Sequence, residues 1–191
     1  MLANNKIIII SGASGAGKTT IVDYLLSCPE LNLVFSISAC TREKRLLETD
    51  NKNYQFLSDK EFKKKIKSGD FLEWEEVYSG CFYGTLKHDT IALLNSGKNI
   101  LFDLDVCGAQ KIKQHFTDKA ISIFIQAPSI AIAKKRLINR KTESSNTLRV
   151  RLGKIADEVK IGKMMDFQIV NDDLDKSKQN IYNVVLSFLN Q

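Results

Sequence analysis

Apolar residues fall along this chain in short runs, and the spacing within each run separates strands from helices. Ile7-Ile8-Ile9-Ile10 puts four β-branched residues in succession, the pattern of a strand buried on both faces of a parallel sheet. The next stretch, Ile21 to Leu26, is amphipathic and predicts a helix over 18–27. That helix should end near Cys28-Pro29, because proline disfavours helix in the residue before it. Leu33 to Ile37 reads as a second strand. Further on, helices are expected over 86–96, 106–116, 130–140, 147–165 and 174–189, and strands over 99–105, 120–125 and 167–170. Gly97 follows the first of these helices, and Ser129, after Pro128, caps the third. Strand and helix alternating in this way predict an α/β fold with a parallel central sheet and right-handed crossovers.

The pattern changes between Ser38 and Leu86. Residues 38–45 are polar, with Arg42 and Arg45 three apart, and Asn53 to Leu57 is a short strand. Ser58-Asp59-Lys60-Glu61 is a capping box that opens a helix over 59–67, and Gly69 stands just past its end. Phe71 to Tyr78 alternates as a strand does and turns at Ser79-Gly80 toward Phe82-Tyr83-Gly84-Thr85. The expected organisation is a core of residues 1–37, 87–128 and 166–191, a small α+β insertion over 38–86, and a helical lid over 129–165 around the polar break 141–146. The insertion is the candidate substrate domain.

Composition narrows the class. With 191 residues, 43% hydrophobic and 26% charged, the chain can hold one full core with room for insertions. No apolar run approaches the roughly 18 residues of a membrane span, so no membrane partner is expected. The N-terminal apolar run is too short for a signal peptide. Cys28, Cys40, Cys81 and Cys107 are scattered, which suits reduced thiols in the cytoplasm and gives no zinc pattern. His88 and His115 are isolated and expected on the surface. The net charge of +6 is accounted for by a solvated lysine face over 60–67 and by arginines serving phosphates. No aromatic-interleaved basic stripe points to nucleic acid. Nothing in the sequence chooses between a monomer and a homo-oligomer.

Chemistry enters at the end of the first strand. Gly12, four residues, then Gly17-Lys18-Thr19 is the phosphate-loop pattern, in the strand-then-helix setting it requires. Glycines let successive backbone N–H groups face a polyphosphate, and the helix N-terminus adds its partial positive charge. Lys18 is expected at the β- and γ-phosphates, and the Thr19 hydroxyl on Mg²⁺. Asp103 and Asp105, ending an apolar strand, stand where a carboxylate holds Mg²⁺ through water or orients the acceptor. Arg136 and Arg140 lie four apart on one helix, and Arg149 and Arg151 beyond the polar break. Arginines closing from a lid would offset charge on a transferring phosphoryl group. Within the insertion, Ser38, Arg42, Arg45, Tyr54, Glu73, Tyr83 and Thr85 form a third set. Two arginines and two tyrosines can clamp a monophosphate. Glu73 could accept from the N1–H and N2–H₂ of guanine while Thr85 donates to O6, an edge that adenine inverts.

These residues resemble guanylate kinases over nearly the whole chain. The resemblance rests on Ser11 to Thr20, Phe35-Ser-Ile-Ser38, Thr41-Arg42 with Arg45, Tyr54-Gln-Phe56, Phe71-Leu-Glu73-Trp74 and Tyr83-Gly-Thr85. Asp103-Leu-Asp105-Val-Cys-Gly108, Lys135-Arg136-Leu137, Arg140, Arg151-Leu152 and Val170-Asn-Asp-Asp173 complete it. It implies a three-layer P-loop NTPase fold and Mg-dependent phosphoryl transfer from ATP to GMP or dGMP. ATP would be held by Gly12, Ala13, Ser14, Gly15, Ala16, Gly17, Lys18, Thr19 and Thr20, with Asn171 near adenine. Ser38, Arg42, Arg45, Tyr54 and Tyr83 would bind the GMP phosphate, while Glu73, Thr85 and Asp105 read guanine. Arg136, Arg140 and Arg151 would close over the phosphoryl group. The chain departs from the family pattern at Ala13, Thr19, Lys44, Leu47, Asn51, Asn53, Cys107 and Lys141, and none of these removes a group given a chemical role above. Two rival readings are a catalytically inert scaffold of the same fold that binds phosphopeptides, and a kinase of a phosphorylated sugar. The first expects a degraded phosphate loop and the second no Glu73–Thr85 pair.

Overall fold

The computed structural model describes residues 5–45, 48–139 and 145–191. Within them the strands form two sheets. The larger has five parallel strands in the order β2-β7-β1-β8-β9, with β1 Ile7–Gly12, β2 Leu33–Phe35, β7 Asn99–Asp103, β8 Ala120–Gln126 and β9 Phe167–Val170. All four isoleucines of β1 are fully buried, as a central strand requires. Alternation sends Ile7 and Ile9 to one face and Ile8 and Ile10 to the other, and each pair joins its own core. Helices α4 (Val106–Phe116), α5 (Ile130–Asn139) and α6 (Ser145–Gly162) cover the first face through Ile112, Leu137 and Ile155. Helices α1 (Lys18–Leu26) and α7 (Leu174–Leu189) cover the second through Ile21, Leu25, Ile181 and Val185. The result is three layers around a parallel sheet.

The second sheet has the order β4-β3-β6-β5, with β3 Ala39–Cys40, β4 Gln55–Phe56, β5 Phe71–Tyr78 and β6 Cys81–Leu86. Helix α2 (Asp59–Lys67) lays Phe62 against Phe71, ring centroids 4.4 Å apart, over Ala39 and Leu86. The capping box opening α2 forms in both directions between Ser58 and Glu61. Helix α3 (Lys87–Asn95) returns the chain to β7.

The elements differ from expectation at four points. The second strand stops at Phe35 rather than Ile37. The Ser36 N–H still reaches the Leu101 carbonyl, but the chain then leaves the large sheet and supplies Ala39–Cys40 to the small one. Residues 38–45 are therefore not all loop. Strand β7 ends at Asp103, and Asp105 is the N-cap of α4, its Oδ1 accepting the N–H groups of Cys107 and Gly108. Helix α6 begins at Ser145 and ends at Gly162, where an added Cβ would lie 2.4 Å from the Phe124 ring, so the helix packs on the sheet at that residue. His88 and His115 are exposed, all four cysteines are free, and no described helix is long and apolar enough to cross a membrane.

Candidate active site

Strand β1 delivers Gly12 to the carboxyl edge of the large sheet, where open α/β sheets bind ligands. The loop that follows turns through Gly15, whose φ of +81° favours glycine. A Cβ there would also lie 2.4 Å from the Ala133 carbonyl oxygen. Gly17 is the N-cap of α1 and brings no side-chain cap, so the first N–H groups of that helix are left for another acceptor. Lys18 folds back over the loop, its Nζ donating to the Gly12 carbonyl at 2.9 Å. Thr19 and Thr20 are exposed. Register aligns Ile10 with Asp103, which sets that carboxylate beside the loop. Burial pushes the Asp103 carboxyl above its usual range, Lys18 opposes the shift and Asp23 adds to it.

Asn171 closes the far side of the loop. Its Nδ2 donates to the Ala16 carbonyl at 2.8 Å, and its own carbonyl accepts from Arg136 Nη2 at 3.0 Å. Asn171 Oδ1 and Arg136 Nη1 are buried without a hydrogen-bond partner among the described residues.

The small sheet presents its polar residues to the same region. Arg42 makes a two-pronged pair with Glu48, both N···O distances 2.6 Å, and Arg45 Nη1 lies 3.9 Å from the same carboxylate. The Arg42 guanidinium stands 4.8 Å from the Tyr54 ring centroid, and Tyr54 meets Tyr83 edge-on at 5.9 Å. Burial raises both phenols, Tyr54 to about 12 and Tyr83 further, so both keep their protons to donate near neutrality. Ser38 is buried beside them.

Strands β5 and β6 pair Glu73 with Thr85, and Thr85 Oγ1 donates to Glu73 Oε1 at 2.6 Å. The Thr85 proton, expected to face a ligand, is thus committed to the carboxylate. Gly108 makes room for the other oxygen: a Cβ there would lie 2.9 Å from Glu73 Oε2. Burial drives the Glu73 carboxyl up to about 7, with Asp105 adding to the shift while Thr85 and Lys111 oppose it.

These groups share one cleft of about 760 Å³, lined by the loop from Gly12 to Thr19 and by Ser38, Arg42, Arg45, Tyr54, Glu73, Tyr83, Asp103, Asp105 and Arg151. Thr20, Thr85, Arg136 and Asn171 are not on its wall, and Arg136 donates to the Asn171 carbonyl. Arg140 and Lys141 lie outside the described residues, as does Leu47. Arg149 is exposed. Three residues not singled out from sequence belong to the site. Glu48 organises the arginines, Glu158 accepts the Ser14 N–H at 3.0 Å, and Tyr78 interacts with Ser14 and Arg151. The seven-residue spacing of Arg151 and Glu158 on one predicted helix was the available signal for Glu158.

Comparison with known proteins agrees with this geometry. The guanylate kinase family model matches residues 4–187. The guanylate kinase of Porphyromonas gingivalis is 43% identical over 184 residues, covering 96% of this chain and 98% of that one. That of Chlorobaculum tepidum is 39% identical over 191 residues, covering 100% and 97%. The crystal structure of guanylate kinase from Anaplasma phagocytophilum superposes with a TM-score of 0.78 at 28% identity, covering 96% of this chain and 85% of that one. With its phosphate loop, its small acidic and basic sheet and these relatives, the chain belongs to the guanylate kinase family.

Proposed function

We propose that the chain transfers the γ-phosphoryl group of ATP to the phosphate of GMP or dGMP, giving ADP and GDP or dGDP. The observation that carries this reading is the single cleft in which an intact phosphate loop faces a buried carboxylate and an arginine–tyrosine cluster. Residues 38–86 are the acceptor domain, residues 1–37, 87–128 and 166–191 the donor core, and residues 129–165 the lid. The N–H groups of Gly15, Gly17, Lys18, Thr19 and Thr20, at the loop's turn and the uncapped start of α1, hold the donor polyphosphate, while the Ser14 N–H stays with Glu158. Asn171, held against the loop through the Ala16 carbonyl, is assigned to the adenine end of ATP, and Arg136 steadies its backbone.

On the acceptor side, Arg42 and Arg45 turn from Glu48 to the GMP phosphate, joined by hydroxyl donors Ser38, Tyr54 and Tyr83. Ionised Glu73 accepts from guanine N1–H and N2–H₂, with Asp105 beside it and Thr85 holding its orientation. Lys18 and Arg151 balance charge on the transferring oxygens. Positioning and electrostatics do the catalysis, and no covalent intermediate is needed.

The residues fit magnesium. Thr19 offers a hydroxyl and Asp103 a carboxylate, both hard oxygen donors next to the phosphate loop. Among the described residues no three His, Cys, Asp or Glu gather as a cage, so such an ion would lean on the phosphates and water. When bound it would neutralise β- and γ-phosphate charge. The free thiols suit a cytoplasmic setting.

A coupled ADP-release assay with GMP, dGMP, AMP, UMP and no acceptor tests the assignment. Turnover should be confined to GMP and dGMP, with AMP and UMP at least about a hundredfold slower. Equal rates for AMP and GMP, or no turnover with any acceptor, contradict it.

A further inference from the structure

We propose that Glu158 is a positioning residue for phosphoryl transfer, fastening helix α6 to the phosphate loop and so setting where Arg151 stands. The proposal rests on the assignment of Arg151 to the transferring phosphoryl group.

Arg151, Lys154 and Glu158 follow one another at intervals of three and four along α6 and therefore share a face. The outer two are about 10 Å apart along the axis. Both reach Ser14, at opposite ends of that residue: Glu158 Oε2 accepts the Ser14 backbone N–H at 3.0 Å, and Arg151 Nε donates to Ser14 Oγ at 3.3 Å. Ser14 is buried in the loop, so α6 is held against the phosphate site itself. Between them Lys154 donates to the Val77 carbonyl and stands 4.9 Å from the Tyr78 ring, which ties the same face to β5.

The two contacts with Ser14 are unequal. A backbone N–H is fixed by the loop, and a carboxylate accepting it makes a charge-assisted bond. The Ser14 hydroxyl can rotate, its contact with Arg151 is longer, and Arg151 has to turn toward phosphate oxygens to do its work. While Arg151 is engaged there, the Glu158 bond keeps α6 in register with the loop. Lys18, Arg151 and Lys154 are the cations facing Glu158, and they offset the burial that raises its carboxyl. The role requires an acceptor oxygen at that reach, which the glutamine amide also provides.

The test is steady-state kinetics of the intact chain carrying Arg151→Ala, Glu158→Ala, Glu158→Gln or the first two together, with thermal melts as a folding control. Arg151→Ala should lower kcat about a hundredfold. Glu158→Ala should lower kcat about tenfold or more, with KM for GMP within about twofold of wild type. Glu158→Gln should recover to within about threefold of wild type. In the double variant, Glu158→Ala should add nothing to the loss from Arg151→Ala, because the residue it positions is gone. Multiplicative losses in the double variant, or a Gln variant as impaired as the Ala variant, overturn the role of Glu158. A wild-type rate for Arg151→Ala instead overturns the assignment on which the proposal stands.

Discussion

Lys18→Ala is expected to lower kcat by about a thousandfold or more, while KM for GMP changes by less than about threefold. The split follows from where the side chain sits. Its Nζ lies over the phosphate loop, 2.9 Å from the Gly12 carbonyl, and among the described residues no hydrogen bond or ion pair joins it to Glu73 or the Arg42–Glu48 cluster. Loop N–H groups remain to bind a polyphosphate without it, so the loss falls on the charge that develops during transfer rather than on acceptor binding. The lysine is also the cation that opposes the upward shift of the Asp103 carboxyl. Removing it leaves a half-buried carboxylate uncompensated, which favours the protonated acid and would weaken the proposed water-mediated metal contact as well. A variant with near-normal turnover, or one that lost GMP affinity as severely as turnover, contradicts this division of labour.

Glu73→Gln is expected to lower kcat/KM for GMP by about a thousandfold while leaving ATP affinity within about twofold. The carboxylate is buried between Thr85, Gly108 and Asp105, and among the described residues no hydrogen bond or ion pair joins it to the phosphate loop. An amide turned toward guanine presents an N–H₂ to N–H groups, so donors face donors at a site closed to water. pH dependence gives a second signature. With the free carboxyl raised to about 7 by burial, the acid is the main form below that pH, whereas guanine needs the carboxylate. Guanosine, used so that phosphate titration does not intrude, should bind up to tenfold more weakly for each pH unit below about 7 and level off above it. Glu73→Gln should abolish that slope.

For folding the sign is opposite. A carboxyl whose folded pKa is raised contributes stability that is full below the unfolded value near 4.5 and lost as pH rises through about 7. The free protein should therefore melt lower at pH 8 than at pH 5.5 on account of this group, and the Gln variant should lack its contribution. A flat guanosine profile in the wild-type chain would remove Glu73 as the base reader.

The large sheet was legible because its signals are local. Ile7 to Ile10 are buried on both faces, and in the insertion the helix over 59–67 likewise carries a capping box written in neighbouring residues, Ser58 with Glu61. Ala39–Cys40 was not legible, because a two-residue strand is defined only by its partners at 55–56 and 83–84. Asp105 misled for a physical reason: an aspartate after an apolar strand suits both a strand-end carboxylate and a helix N-cap, and the structure uses it as the cap. The phosphate loop could be read because its whole function lies in eight consecutive residues. For Glu158 the helical spacing offered a shared face with Arg151, but its partner Ser14 is 144 residues away and the contact required coordinates. The Glu73–Thr85 bond lies between these cases: alternation in the predicted hairpin allowed the pairing, but the direction of the Thr85 proton required coordinates.

If one cleft holds two nucleotides with their phosphates facing each other, a ligand of adenosine and guanosine joined through five phosphates should fill both halves at once. Calorimetric titration should give one ligand per chain, bound at least about a hundredfold more tightly than ATP or GMP alone, because the second contact becomes intramolecular. The analogue with adenosine at both ends should bind more weakly. Two ligands per chain, or an affinity no better than that of ATP alone, would rule out the shared cleft.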